Sequence, residues 1–364
     1  MTTSPSTSPQ PETSFEAWGL VTAVATIVTL LAGFLLIQPR LSERRVEVDP
    51  RFILTPAEVR DLPEGTLPVV LDRSAGQTEA DFYFRLLQLV MERSGRPYAL
   101  GMSEEDIPQD EAVAALEQDT AAMDNGRNPM AISVGVYGAG RDLNRRLQAI
   151  PIPVTGGILG LRAGWTHRDE VEALASVQSR DDLQNIVLLQ GLGWSDVDIF
   201  DAAGMRTFTE RSGELLRLVD NRRVQLFPRG IAELALDTTR VNPSTSATVL
   251  DPNLLIAYPF AGFFYVSQSN AALAEALKIG FQRAISDGSY QRLVEELILT
   301  PWLREQLRLQ DRVVVVLPNP VAWDVLADVD PAHWIVPWRD LLKGNIQTGS
   351  ELCKAQGLRA LCQQ

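Results

Sequence analysis

Arg145-Arg-Leu-Gln-Ala-Ile-Pro-Ile-Pro-Val154, followed by Gly157-Ile-Leu-Gly-Leu-Arg162, is the stretch on which the organisation of this chain turns. Pro151 and Pro153 each fix φ and remove a backbone donor, so the segment reads as an extended crossing between two packed regions. Gly157 to Arg162 reads as a strand beyond it. Upstream lie a first strand, Leu67-Pro-Val-Val-Leu71, and a helix over Asp81 to Ser94 with Phe82, Leu86, Leu89 and Val90 on one face. Gly95 stops that helix. A helix near Asp110 to Thr120 and a buried strand over Ala131 to Tyr137 follow. Strands alternating with helices indicate an α/β sheet.

Downstream is a middle block. Ser179 caps a short helix, Asn185 to Gln190 is a buried strand, and Asp196 to Ala203 and Arg211 to Asn221 are helical. Val224-Gln-Leu-Phe227 reads as a strand ending at Pro228, and Ile231 to Leu236 begins another helix. The chain then returns through two apolar strands, Leu254 to Tyr258 and Gly262 to Ser267. An amphipathic helix over Asn270 to Asp287 ends at Gly288, and Tyr290 to Ile298 continues it.

Four features, in this order, carry a resemblance. They are the crossing stretch, Gln190-Gly-Leu-Gly-Trp-Ser-Asp196, Leu226-Phe-Pro-Arg-Gly230, and Tyr265-Val-Ser267 with its helix closing on Ala284-Ile-Ser-Asp-Gly-Ser-Tyr290. The block from about Leu67 to Leu299 resembles the type-II periplasmic solute-binding protein superfamily of bacteria, particularly its amino-acid-type (family 3) members. The resemblance implies an α/β fold of two lobes joined by two crossing strands, with a small ligand such as an amino acid or organic anion in the cleft. It divides the chain into lobe 1 (66–153 and 257–309), lobe 2 (154–256) and a C-terminal extension (310–364). Helix N-termini and loop amides suit a ligand carboxylate, and hinged lobes close like jaws.

The sequence also departs from that family. Its amino-acid binders place a Thr or Ser with an Arg before the first crossing; here Tyr137-Gly-Ala-Gly-Arg141 lacks the hydroxyl. Arg229 stands where an acid is expected. Leu192 precedes Gly193-Trp194 where a His is common, and Ala261-Gly262 replaces frequent aromatics. Candidate ligand contacts are Arg229, Trp194, Arg141, Tyr137 and Tyr258. Each has a structural alternative: an ion pair for the arginines, a core position for the aromatics.

Trp18 to Ile37, WGLVTAVATIVTLLAGFLLI, contains no charge. About 20 residues at about 1.5 Å each cross a hydrocarbon core of about 30 Å. Residues 1–17 hold no Lys or Arg and no small-residue cleavage site follows Ile37, so a retained transmembrane helix in contact with lipid fits better than a signal peptide. The Ser/Thr/Pro-rich tail reads as disordered on its own, and residues 38–65 as a linker. Arg40, Arg44 and Arg45 favour a cytoplasmic domain by the positive-inside rule, but long domains translocate against flanking charge. The resemblance argues for a periplasmic domain on a single-pass inner-membrane anchor.

The formal net charge of -13 excludes nucleic acid, which needs clustered cations. The two histidines, His167 and His333, stand in unrelated contexts, and no GxSxG, HExxH or P-loop occurs, so no enzyme, cofactor or metal is expected. Cys353 and Cys362 either close a small disulfide loop, implying an oxidising compartment, or remain two thiols. The stretch 310–364 holds Val313-Val-Val-Val316 with Trp323, Trp334 and Trp338. Aromatics at this density pack, onto lobe 1 or onto a partner. Two functions remain: a membrane-tethered binder of a small ligand, or a non-catalytic accessory subunit of an integral membrane complex with a degenerate cleft.

Overall fold

Two sheets lie on either side of the proline-bearing segment. The structure is a computed structural model and describes residues 48–73, 77–118, 131–238, 241, 246–320 and 322–362. The tail, the segment Trp18 to Ile37 and Arg40, Arg44 and Arg45 lie outside the described residues. Among the described residues no helix is long and apolar enough to cross a membrane.

The first sheet contains β1 (Leu67–Arg73), β2 (Tyr98–Asp106), β3 (Gly135–Gly138), β4 (Gln148–Ile150) and, from far along the chain, β11 (Gly262–Val266). β1 and β2 are parallel, a parallel bridge between Leu71 and Val134 leads to β3, and β11 runs antiparallel between β3 and β4. The order is thus 2-1-3-11-4. The second sheet contains β5 (Leu161–His167), β6 (Val187–Gly191), β7 (Arg206–Glu210), β8 (Phe227–Gly230), β9 (Thr248–Leu250), β10 (Leu254–Ala257) and β12 (Val313–Val316). β6 and β7 are parallel, Leu188 and Leu226 bridge toward β8, and β5 is antiparallel to β8, β9 and β10. Its order is 7-6-8-5-10-12.

The two orders repeat one plan. In each sheet the antiparallel strand is the first strand after a crossing: β5 after residues 151–160, β11 after residues 258–261. Each lobe therefore receives a structural strand across the hinge, and neither sheet is complete from one continuous stretch. This is the two-lobed α/β fold that the sequence resemblance implies.

The helix Phe82–Ser94 ends at Gly95, whose φ of 75° suits glycine. It buries Phe84, Leu86, Leu87, Val90 and Met91, so the apolar stripe is rotated from the expected Phe82-Leu86-Leu89-Val90 face. The cause is a second neighbour. The helix Ala271–Ser286 packs so closely that a Cβ on Gly280 would stand 1.9 Å from the Val90 carbonyl oxygen. Burial against a sheet and a helix together widens the apolar face.

Three further expectations are corrected. Gly157 to Arg162 is mostly a 3-10 turn, Ile158–Gly160, and the strand starts at Leu161. β8 runs through Pro228 instead of stopping there; Pro228 lies opposite Gly164, where the missing side chain leaves room for Leu226. The extension does not simply wrap the first lobe. Its valines form β12, parallel to β10 with Leu254 opposite Val313, because the open edge of β10 offers a ladder to four β-branched residues. Cys353 and Cys362 are bonded, with Cα atoms 5.8 Å apart.

Candidate functional site

Arg162 is the second residue of β5 and is only 4% exposed. A guanidinium that deep requires compensating charge. Its Nη2 lies 2.8 Å from Asp196 Oδ1, at the start of the helix Asp196–Ala202, and its Nη1 lies 3.4 Å from Glu233 Oε2. The guanidinium carbon sits 5.5 Å and 5.1 Å from the ring centroids of Tyr258 and Phe260, both on the second crossing. The Tyr258 hydroxyl donates to the same Asp196 Oδ1.

Arg229, in β8, repeats the arrangement. Its Nε donates to Asp237 Oδ2 at 2.8 Å, and its Nη2 stands 3.3 Å from Glu233 Oε1. Its guanidinium lies 5.2 Å from the Trp194 ring and 5.5 Å from Phe227. Trp165 Nε1 donates to Asp237 Oδ2 at 3.1 Å, and the Gly230 N–H donates to Glu233 Oε2 at 3.1 Å. Glu233 thus bridges both arginines. Two guanidinium groups face three carboxylates, a local formal charge of minus one.

Burial by itself would lower both arginine pKa values. Asp196, Tyr258 and Glu233 outweigh it at Arg162, and Glu233 and Asp237 at Arg229, so both stay above the ordinary value. Tyr83, from the first-lobe helix Phe82–Ser94, lies within electrostatic reach of Glu233, Arg162 and Arg229. Its own pKa is raised by burial first and by Glu233 second. A Cβ on Gly138 of β3 would stand 2.7 Å from the Phe260 ring and 3.1 Å from Ser195 Oγ. The lobes therefore touch here, beside the second crossing.

Of the residues singled out in the sequence, Arg229, Trp194 and Tyr258 come together on this face. Trp194 is half-buried on Phe227 and Arg229; Tyr258 is fully buried. Arg141 and Tyr137 do not join them. Arg141, at the start of the helix Arg141–Arg146, pairs with Asp324 of the extension. The Tyr137 hydroxyl donates to Asp72 Oδ2 at 2.7 Å inside the first lobe, and its ring stacks on Tyr265. Sequence reasoning missed Arg162, Asp196, Glu233 and Asp237. One signal was present: an arginine inside the apolar run from Ile158 to Trp165 must be buried, and so must be paired.

No family model matches the sequence, and no curated protein matches it. Similar solved structures include an ancestral arginine-binding protein bound to arginine, at 14% identity over 64% of this chain and 98% of that one, TM-score 0.45. A second is an amino acid ABC transporter substrate-binding protein from Streptococcus pneumoniae bound to L-arginine, at 11% identity over 67% and 98%, TM-score 0.46. A third is the substrate binding protein of an amino acid ABC transporter, at 12% identity over 64% and 100%, TM-score 0.42. With TM-scores below 0.5 they add nothing to the strand order, on which the two-lobed fold rests.

Proposed function

We propose that this chain is a non-catalytic accessory subunit of an integral membrane complex, built on a solute-binding fold whose cleft is closed by its own side chains. The anchor is the segment Trp18 to Ile37, and the large domain lies in the periplasm. One observation carries the reading: each arginine suited to clasp an acidic ligand already holds a carboxylate of this chain. Arg162 holds Asp196, Arg229 holds Asp237, and Arg141 holds Asp324. At Arg162 and Arg229 a ligand carboxylate would have to displace a buried intramolecular partner, which leaves that partner's charge uncompensated; the Arg141 pair is exposed.

A second reading has its own support. Arg162 Nε and Gln190 Oε1 are buried without a hydrogen-bond partner among the described residues. An unmet donor and acceptor suit a small neutral polar molecule.

Thermal unfolding of the full-length protein in detergent, with amino acids, organic acids and small amides, separates the two. The accessory reading expects no shift. A ligand at 100 times its dissociation constant adds about 2.7 kcal/mol, a plain rise in melting temperature. A reproducible rise with any compound transfers the argument to the second reading.

A further inference from the structure

We infer that the C-terminal extension is an intramolecular clamp across the hinge, holding the two lobes at one fixed angle. Hinged two-lobed proteins open by rotation about their crossing segments. Here both crossings are gripped by residues that follow β12.

The path of the chain makes the case. β12 is an edge strand of the second lobe, and the Leu317 N–H continues its ladder to the Ala257 carbonyl. Asn319 Nδ2 then donates at 2.8 Å to the Pro259 carbonyl, in the second crossing. Asp324 pairs with Arg141 of the first lobe, and Leu326 and Val329 pack among Tyr137, Phe263 and Tyr265 there.

The chain now turns back over the first crossing. Gly156 and Gly157 have φ of 57° and 85°, the left-handed region where a crossing bends most easily. Ile335 and Val336 both donate their N–H to the Gly156 carbonyl, at 2.9 Å and 3.2 Å. A Cβ on Gly156 would stand 2.4 Å from Ile335, and one on Gly157 would stand 2.6 Å from Trp338 Nε1. The extension finally rejoins the second lobe: the Val314 N–H donates to the Gln347 carbonyl and the Gly349 N–H to the Arg312 carbonyl. Lobe rotation would have to break contacts on the second crossing, the first lobe and the first crossing together. The clamp does not rest on the proposed function, because it concerns the angle between the lobes and is compatible with an empty or an occupied cleft.

The test reads interlobe distance in the full-length protein in detergent. Spin labels go on Glu92→Cys of the first lobe and Arg206→Cys of the second, both exposed. A protease site is inserted between Ala327 and Asp328, in an exposed turn of the extension, and cut after folding. Pulsed electron resonance should give one narrow distance in the intact protein and an added longer distance after the cut. The double variant Asn319→Ala/Asp324→Ala, uncut, should move the same way by a smaller shift. Two distances in the intact protein would overturn the clamp. So would a single unchanged distance in both the cut protein and the double variant; if the cut chain unfolds, the double variant decides alone.

Discussion

Arg162 and Asp196 form a pair in which both side chains are almost wholly buried. Such a pair adds little to stability as a whole, yet losing one member leaves an unpaired buried charge, at about 3–5 kcal/mol. Arg162→Met should therefore lower the unfolding free energy by about that much, read from urea midpoints. Arg162→Met combined with Asp196→Leu should cost less than the sum of the two single changes, because the variants share a partner. Strict additivity would mean that the pair is not coupled. Asp72 gives a pH test at the same scale. Burial raises its carboxyl from 3.8 to about 7, and the Tyr137 hydrogen bond opposes this without overcoming it. The folded state then binds the proton more tightly than the unfolded chain. The contribution of Asp72 to stability should be full below about pH 4, fall as pH rises toward 7, and level off above it. Asp72→Asn, which still accepts from Tyr137, should flatten that slope. An equal slope in both proteins would remove Asp72 as its source.

Elements were legible in the sequence where their signals are local. Ser179 caps its helix by accepting from the Asp182 N–H, Asn270 does the same for the Leu273 N–H, and Gly95 and Gly288 adopt the left-handed conformations expected of helix ends. Strand partners were not legible, because pairing is decided by what the rest of the chain leaves open. β2 ends in an acidic run, Ser103-Glu-Glu-Asp106, that no β pattern flags; the ladder to β1 shifts register there and resumes only where Asp106 lies opposite Arg73. β8 crosses Pro228 because Gly164 lies opposite. The site divided in the same way. Arg229, Trp194 and Tyr258 could be marked by type and position, whereas Asp196 reaches Tyr258 across 62 residues. The bond between Cys353 and Cys362 closes the end of the extension beside the buried Leu358 and Leu361. Cys353→Ala/Cys362→Ala should lose about 2–3 kcal/mol if the bond acts by limiting the unfolded chain. A denaturant midpoint unchanged by the double substitution would show that packing alone holds this end.

At the scale of the whole molecule, the residues from Val48 onward carry their own cores: one that runs through both sheets, one within the second lobe, and one of first-lobe residues packed with Val329 of the extension. The domain therefore has the apolar burial to fold without residues 1–45, so the anchor proposed above is assigned to attachment and not to folding. Replacing residues 1–45 by a cleavable export signal should release a folded periplasmic domain with an unchanged melting temperature. The full-length chain, extracted from its native membranes in mild detergent, should migrate with a larger integral membrane assembly on native gels, and the released domain should not. A full-length chain that runs alone would remove the accessory reading. A released domain that still migrates with the assembly would place the attachment on the domain surface, where Leu192 and Phe208 are, among the described residues, the large apolar side chains most open to a partner. The two outcomes differ in physical cause: insertion of an uncharged segment into lipid in one case, burial of exposed apolar side chains against another protein in the other.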